Sequence, residues 1–185
     1  PRRVAEMIVQ KVLNNSLVLS MDDDSREVIV MGKGIGFNSR PGDEIAPDKI
    51  EKLFVTQALG ARSGYLEALS AIPDEVIEMA AMIISRANMQ LASKVREQIF
   101  FTLADHLTFA IERSRKGIAI QNRLLPEVRR FYPQQFRVAS EAVTIIRQQY
   151  GIELPEEEAG NIAFHLVNGQ SEGDDVAQTM QSVKM

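Results

Sequence analysis

Hydrophobic and polar positions divide this chain into two stretches of different period. From Met7 to Phe54 the apolar residues come in short, β-branched runs separated by turn formers. Met7 to Leu19 reads as two short strands about an Asn14-Asn15 turn, because asparagine tolerates the left-handed conformations that hairpin turns need. Asp22 to Ser25 is a second turn, Arg26 to Met31 a third strand and Ile50 to Phe54 a fourth. Gly32, Gly34, Gly36, Pro41, Gly42 and Pro47 mark one long loop before the last strand. The pattern predicts an antiparallel meander with one apolar face that nothing in its own chain covers. At about 55 residues such a sheet is marginal alone, so a homodimer with its two sheets face to face is expected.

After about Thr56 the period changes to three and four. Tyr65 to Ala71 reads as a short helix. Asp74 to Leu91 is a helix with Val76, Ile77, Ala80, Ile83, Ile84 and Ala87 on one face, opened by Pro73 and two acids. Val95 to Arg115 is expected to be the longest helix and, being apolar nearly all round, central; Gly117 ends it. Leu124 to Tyr132, Phe136 to Tyr150 and Pro155 to about Asn168 complete the set, with Pro133 and Gly151 as punctuation. The fold class is therefore α+β, a small four-stranded antiparallel sheet domain followed by an all-α five-helix bundle. The divisions are 7–56 for the sheet, 57–63 for a linker and 64–170 for the helices. Residues 171–185 read as a second linker and the start of a following domain, since Val176, Ala177, Met180 and Val183 begin a new apolar stripe.

Composition narrows the chemistry. Apolar residues make up 45% of the chain, enough to build a core. There are no cysteines, which removes disulfides and Cys-ligated metals and fits a reducing cytoplasm. No apolar run reaches the roughly 20 residues needed to span a bilayer. Residues 1–60 carry 8 Lys/Arg against 9 Asp/Glu. A domain that grips nucleic acid mainly through phosphates should be basic, so any such binding must rest on a local patch, on shape and on stacking.

Two features stand out against that background. The first is Val28-Ile-Val-Met-Gly-Lys-Gly-Ile-Gly-Phe37. Glycine at every second position serves close backbone approach or positive φ. Lys33 and Phe37 beside those glycines suit a flexible polyanion with stacking faces. The competing reading is a bulged sheet edge with Phe37 in the core. The loop fits neither a dinucleotide fingerprint nor a phosphate loop. The second feature is the pair of histidines, His106 and His165, each in an apolar helical segment. They are core histidines or phosphoryl acceptors. No metal spacing and no nucleophile elbow accompany them. A neutral imidazole attacks phosphorus at neutral pH, and Asp105 or Arg113, the latter two turns along on the same face as His106, is placed to steer it. A phosphohistidine relay enzyme is the alternative function on this reading, although no substrate motif accompanies it.

The residues also resemble a known family. Asn14-Asn15, Val30-Met-Gly-Lys-Gly-Ile-Gly-Phe37 and Ile50-Glu-Lys52 are similar to the RNA-binding module of bacterial transcriptional antiterminators of the BglG/LicT/SacY type. Thr102 to Ile111, Leu124-Leu125, Phe131-Tyr132, Glu141-Ala142 and Leu154 to Val167 resemble that family's first phosphotransferase-system regulation domain. The resemblance implies a dimeric RNA-binding domain that holds a hairpin in nascent messenger RNA. An overlapping terminator then cannot form, and sugar-utilisation genes are transcribed without catalysis by this protein. It assigns RNA contacts to Asn14, Asn15, Ser16, Gly32, Lys33 and Phe37. Lys33 stands where relatives often carry arginine, Ser16 where they often carry a third asparagine, and Ala104 where a threonine is common. It implies phosphorylation at His106 and His165 by phosphocarrier and sugar permease proteins, with Asp105 and Arg113 as neighbours. No cofactor or metal is implied.

Overall fold

The computed structural model describes residues 6–56 and 64–170. The linker expected at 57–63 and the tail expected at 171–185 lie outside the described residues. The chain divides into two compact units, Pro1–Ile77 and Glu78–Met185.

The first unit holds a four-stranded antiparallel sheet in the order β1-β2-β3-β4, with β1 at Lys11–Val12, β2 at Leu17–Met21, β3 at Glu27–Met31 and β4 at Lys52–Val55. The two hairpin turns are built by side chains that imitate backbone. Asn14 Oδ1 accepts the Ser16 N–H at 2.9 Å. Asp22 Oδ1 accepts the N–H groups of Asp24 and Arg26, and Ser25 takes the left-handed φ of 59°. The register sets Val18 opposite Val30 and Val28 opposite Val55 on one face, and Leu17 opposite Met31 and Leu19 opposite Ile29 on the other.

Here the expected uncovered face is corrected. The long loop folds back and fills it. Residues 7–9 pair with 42–45 through Ile45 N–H to Met7 O at 2.8 Å, Val9 N–H to Asp43 O at 2.9 Å and Gly42 N–H to Val9 O at 2.8 Å. Met7, Val9, Ile35 and Ile45 then pack with Val18, Val28 and Val30 in one cluster. The opposite face is apolar as well, and Leu17, Ile29, Met31 and Phe54 on it are buried. The strands are apolar in both phases of the alternation, so the sheet is two-sided. The uncovered face that called for a dimer is therefore absent. The first unit also contains α1, Tyr65–Ser70, and the start of α2, which spans Asp74–Gln90.

Most of α2 belongs to the second unit, with α3 at Ile99–Arg115, α4 at Leu125–Phe131, α5 at Pro133–Tyr150 and α6 at Glu156–Gln170. The described residues thus form six α-helices, one for each helical segment named from the sequence, so the total of five was one short. Pro126 and Pro133 sit in the first turns of α4 and α5, where the missing N–H costs nothing. Gly117 and Gly151 close α3 and α5 in left-handed conformation. α3 starts four residues later than expected, because Val95 N–H is taken by Asn88 Oδ1 at 2.8 Å and Arg96 N–H by Gly169 O at 2.9 Å. At 18 residues α5 is longer than α3 at 17. α6 packs against α3, α4 and α5 and takes the central place expected of Val95 to Arg115. Phe100, Leu103 and Leu107 of α3 and Ile162 and Leu166 of α6 are fully buried.

Candidate functional site

The Asn14 turn and the glycine loop form one surface, joined by main-chain bonds. Gly32 N–H donates to Ser16 O at 3.1 Å and Gly36 N–H to Asn15 O at 2.9 Å. Between these anchors the chain winds through tight turns, with Ile35 N–H on Gly32 O and Phe37 N–H on Gly34 O. Close approach explains two of the glycines. A Cβ on Gly32 would lie 1.8 Å from Lys49 O, and one on Gly36 would lie 2.0 Å from Asn14 O. Gly32 itself is buried, so any contact it makes with RNA is not through an open surface.

This winding sorts the side chains. Ile35 is 4% exposed and enters the sheet core, whereas Phe37 is 63% exposed and Lys33 is exposed. Phe37 is not core, and the loop is a run of turns, not a bulged strand edge. A large aromatic ring held in water on a braced loop is what a stacking platform requires. Asn14, Asn15 and Ser16 are placed differently, since each polar side chain already has partners within the first unit. Asn14 Nδ2 donates to Leu69 O at 3.2 Å and Ile72 O at 3.3 Å. Asn15 Nδ2 donates to Asp74 Oδ2 at 3.2 Å, and Ser16 Oγ to Asp74 Oδ1 at 3.0 Å.

The second unit brings His106 and His165 together. Their ring centroids are 5.0 Å apart with a 47° tilt. Both border a cavity of about 290 Å³ with Arg113, Asn122, Asn161 and Phe164. The carboxylate on His106 is that of Glu158, whereas Asp105 lies exposed on α3. His106 Nε2–H donates to Glu158 Oε2 at 2.8 Å, Arg113 Nη2 donates to Oε1 at 2.7 Å, and Asn161 Nδ2 donates to Oε2 at 3.1 Å. A carboxylate only accepts, so a neutral His106 carries its proton on Nε2 and its lone pair on Nδ1. Asn122 Nδ2 in turn donates to Asn161 Oδ1 at 3.0 Å, tying the approach to α4 into the same network.

Burial alone would raise the Glu158 carboxyl. The hydrogen bonds from His106, Arg113 and Asn161 outweigh it and hold the group at about 2. Burial, with repulsion from the His106 ring when that is charged, pushes His165 down to about 4. His165 is therefore a neutral imidazole at pH 7, the form that attacks phosphorus. Arg113 Nε–H is buried and has no acceptor among the described residues, a donor in reserve beside the two rings.

Sequence reasoning missed Glu158, Asn122, Asn161 and Asp74. For Glu158 a signal was present. It precedes His165 by seven residues, two helical turns, and so shares its face of α6.

Comparison with known proteins identifies the two regions that carry these residues. Residues 7–60 match the CAT RNA binding domain and residues 81–169 the PRD domain. The chain is 42% identical over 164 residues to the beta-glucoside operon antiterminator of Dickeya chrysanthemi, covering 89% of this chain and 58% of that protein. It is 37% identical over 164 residues to the transcription antiterminator LicT of Bacillus subtilis, covering 89% of this chain and 59% of that protein. It therefore spans a little under three fifths of the length of these relatives. The crystal structure of GlcT CAT-PRDI superposes with a TM-score of 0.78 at 28% identity, over 91% of this chain and all of that one. The chain thus carries a CAT RNA-binding domain followed by a PRD domain, as in the GlcT CAT-PRDI structure, and over most of its length it is similar to proteins named as antiterminators.

Proposed function

We propose that this chain is the RNA-binding and first regulatory part of a transcriptional antiterminator. It holds a hairpin in nascent messenger RNA, so that an overlapping terminator does not form. Sugar-utilisation genes are then read through. A beta-glucoside operon leader is the first to try, since the 42% identical relative bears that name. The protein works by choosing between two RNA folds and needs no catalytic step. The observation that carries the RNA half is Phe37, exposed at the end of a loop whose backbone is pinned to the Asn14 turn. The exposed amide of Asn15 suits a base edge of an irregular hairpin, and Lys33 supplies one cation.

The control half rests on the histidine cluster. A phosphocarrier or sugar permease protein carrying phosphohistidine transfers its phosphoryl group to His106 or His165 in the cytoplasm. The group brings about −1.5 to −2 charges. The spare Arg113 Nε–H and the His165 ring kept neutral by burial support that chemistry. The added charge meets the buried Glu158 carboxylate and changes how the helices are held. A homodimer remains part of the proposal. Its support within the first unit is the exposed Ile8, Met21 and Leu53.

The test is a binding titration of the full chain against a leader hairpin with asymmetric internal loops. Phe37→Ala is expected to weaken binding about 5- to 150-fold, since one stacked base is worth about 1–3 kcal/mol. Its sedimentation behaviour should not change. Unaltered affinity would sink the loop assignment. Incubation with the phosphocarrier components should leave acid-labile phosphate on His106 or His165, and its absence would count against the control half.

A further inference from the structure

The surface assigned to RNA is open in one half and closed in the other. Lys33 and Phe37 face solvent. In the Asn14 turn Ser16 is buried, Asn14 is half-buried and Asn15 is exposed, but the polar groups of all three are engaged by the corner between α1 and α2. The closing group is one carboxylate. Asn15 Nδ2 and Ser16 Oγ donate to the two oxygens of Asp74, at 3.2 and 3.0 Å. Asn14 Nδ2 is held beside them by two carbonyls of the same corner. All of these groups lie within the first unit.

The chemistry of that contact is informative. Two donors on adjacent residues, each on one oxygen of a single anion, also match the two non-bridging oxygens of a phosphodiester. Among the described residues no cation pairs with Asp74, so exchanging this carboxylate for a phosphate breaks no ion pair. Ser16 is 7% exposed, and its hydroxyl cannot serve Asp74 and an outside ligand at once.

We propose that Asp74 is an internal ligand of the Asn15-Ser16 donors, seated where a phosphodiester of the bound RNA sits, and that RNA and Asp74 exclude one another there. The inference rests on the RNA-binding reading above. Its consequence is a reserve of affinity. RNA binds only the fraction of molecules in which the corner has let go, and its apparent affinity falls by that fraction. Whatever moves the start of α2 then sets RNA affinity without touching the RNA surface.

The experiment uses the full chain and the same leader hairpin. Asp74→Ala is expected to bind about tenfold more tightly, the return of two charge-assisted hydrogen bonds. Asp74→Asn, which keeps one acceptor oxygen, should gain less. Asp23→Asn removes an equal charge from the exposed β2–β3 turn and should change affinity less than about twofold. Should Asp74→Ala fold poorly, the side-chain amide resonances of Asn15 in the unaltered protein give the same answer. They should move on RNA addition as the Asp74 contact is lost. An Asp74→Ala protein that binds no better, an equal gain from Asp23→Asn, or unmoved Asn15 resonances in the complex overturns the proposal. Phe37→Ala is run alongside. If it loses RNA while Asp74→Ala gains nothing, only the role of Asp74 fails. If Phe37→Ala binds normally, the RNA reading itself fails.

Discussion

Glu158 and His165 are two residues on one face of α6 with opposite electrostatic problems. Glu158 is charged and buried, and three donors keep it so. His165 is half-buried, and among the described residues no carboxylate pairs with it, so it stays neutral. Both pKa values are depressed in the fold, and the two act in different pH windows. For His165 the unfolded ring gains a proton near 6.5, while the folded ring resists until about 4. Its contribution is complete above pH 6.5 and falls as the pH drops toward 4. For Glu158 the contribution is complete above the ordinary 4.5 and is lost as the pH falls through about 2. Denaturant midpoints should therefore begin to decline below about pH 6.5, well before carboxylates titrate. His165→Gln should remove that upper phase and leave the acid phase. A midpoint flat from pH 7 to 5 in the unaltered protein would contradict the burial of His165. The neighbour expected for His106, Asp105, was legible only as a sequence neighbour. Successive residues of a helix point about 100° apart, so adjacency along the chain is poor guidance to adjacency in space.

At the level of elements, the hairpins were legible because their causes are local. Asn14 and Asp22 make their turns with side-chain bonds two to four residues away. The start of α3 was not legible, because its apolar stripe continues back to Val95 while the backbone there is claimed by Asn88 and Gly169. The covered sheet face was missed for a similar reason. Ile35 and Ile45 lie in a segment whose glycines and prolines mark it as a loop, and only the fold shows it packing as core. The glycine loop yields the prediction at this scale. Gly36→Ala places a methyl group 2.0 Å from the Asn14 carbonyl oxygen, a backbone atom that cannot swing aside. The loop must leave the turn, at a cost of about 2–3 kcal/mol, and hairpin binding should fall with it. Gly34 has a φ of +67° and open space around it. Gly34→Asn should cost about 1 kcal/mol or less, since asparagine tolerates that conformation. Equal midpoints for the two variants in urea would refute the clamp.

For the whole molecule, net charge is the constraint. The chain carries −4, and the candidate RNA surface offers Lys33 as its exposed cation. Binding should then depend weakly on salt. With one or two phosphates neutralised per chain, and two chains per hairpin as proposed, the slope of log K against log salt should lie between about −1.4 and −3.6. A slope steeper than about −5 would mean that a basic surface elsewhere does the binding. Function at this scale was legible through two blocks of motif in order along the chain. The link between Asn15, Ser16 and Asp74 was not, because 59 and 58 residues separate the partners. Nothing in the acid that opens a helix distinguishes it from an ordinary dipole partner.

The bonds that fix the glycine loop join N–H groups of Gly32 and Gly36 to carbonyls of Ser16 and Asn15. None of them involves a side chain of residue 33 or 37. On the proposed reading, mutation at those two positions therefore changes what the surface contacts while its shape stays the same. A library varied only at Lys33 and Phe37 explores new RNA targets at little risk to folding. Divergence of a duplicated copy toward another operon has the same short path open to it. The frame is inherited whole, and the two letters displayed on it are free to drift.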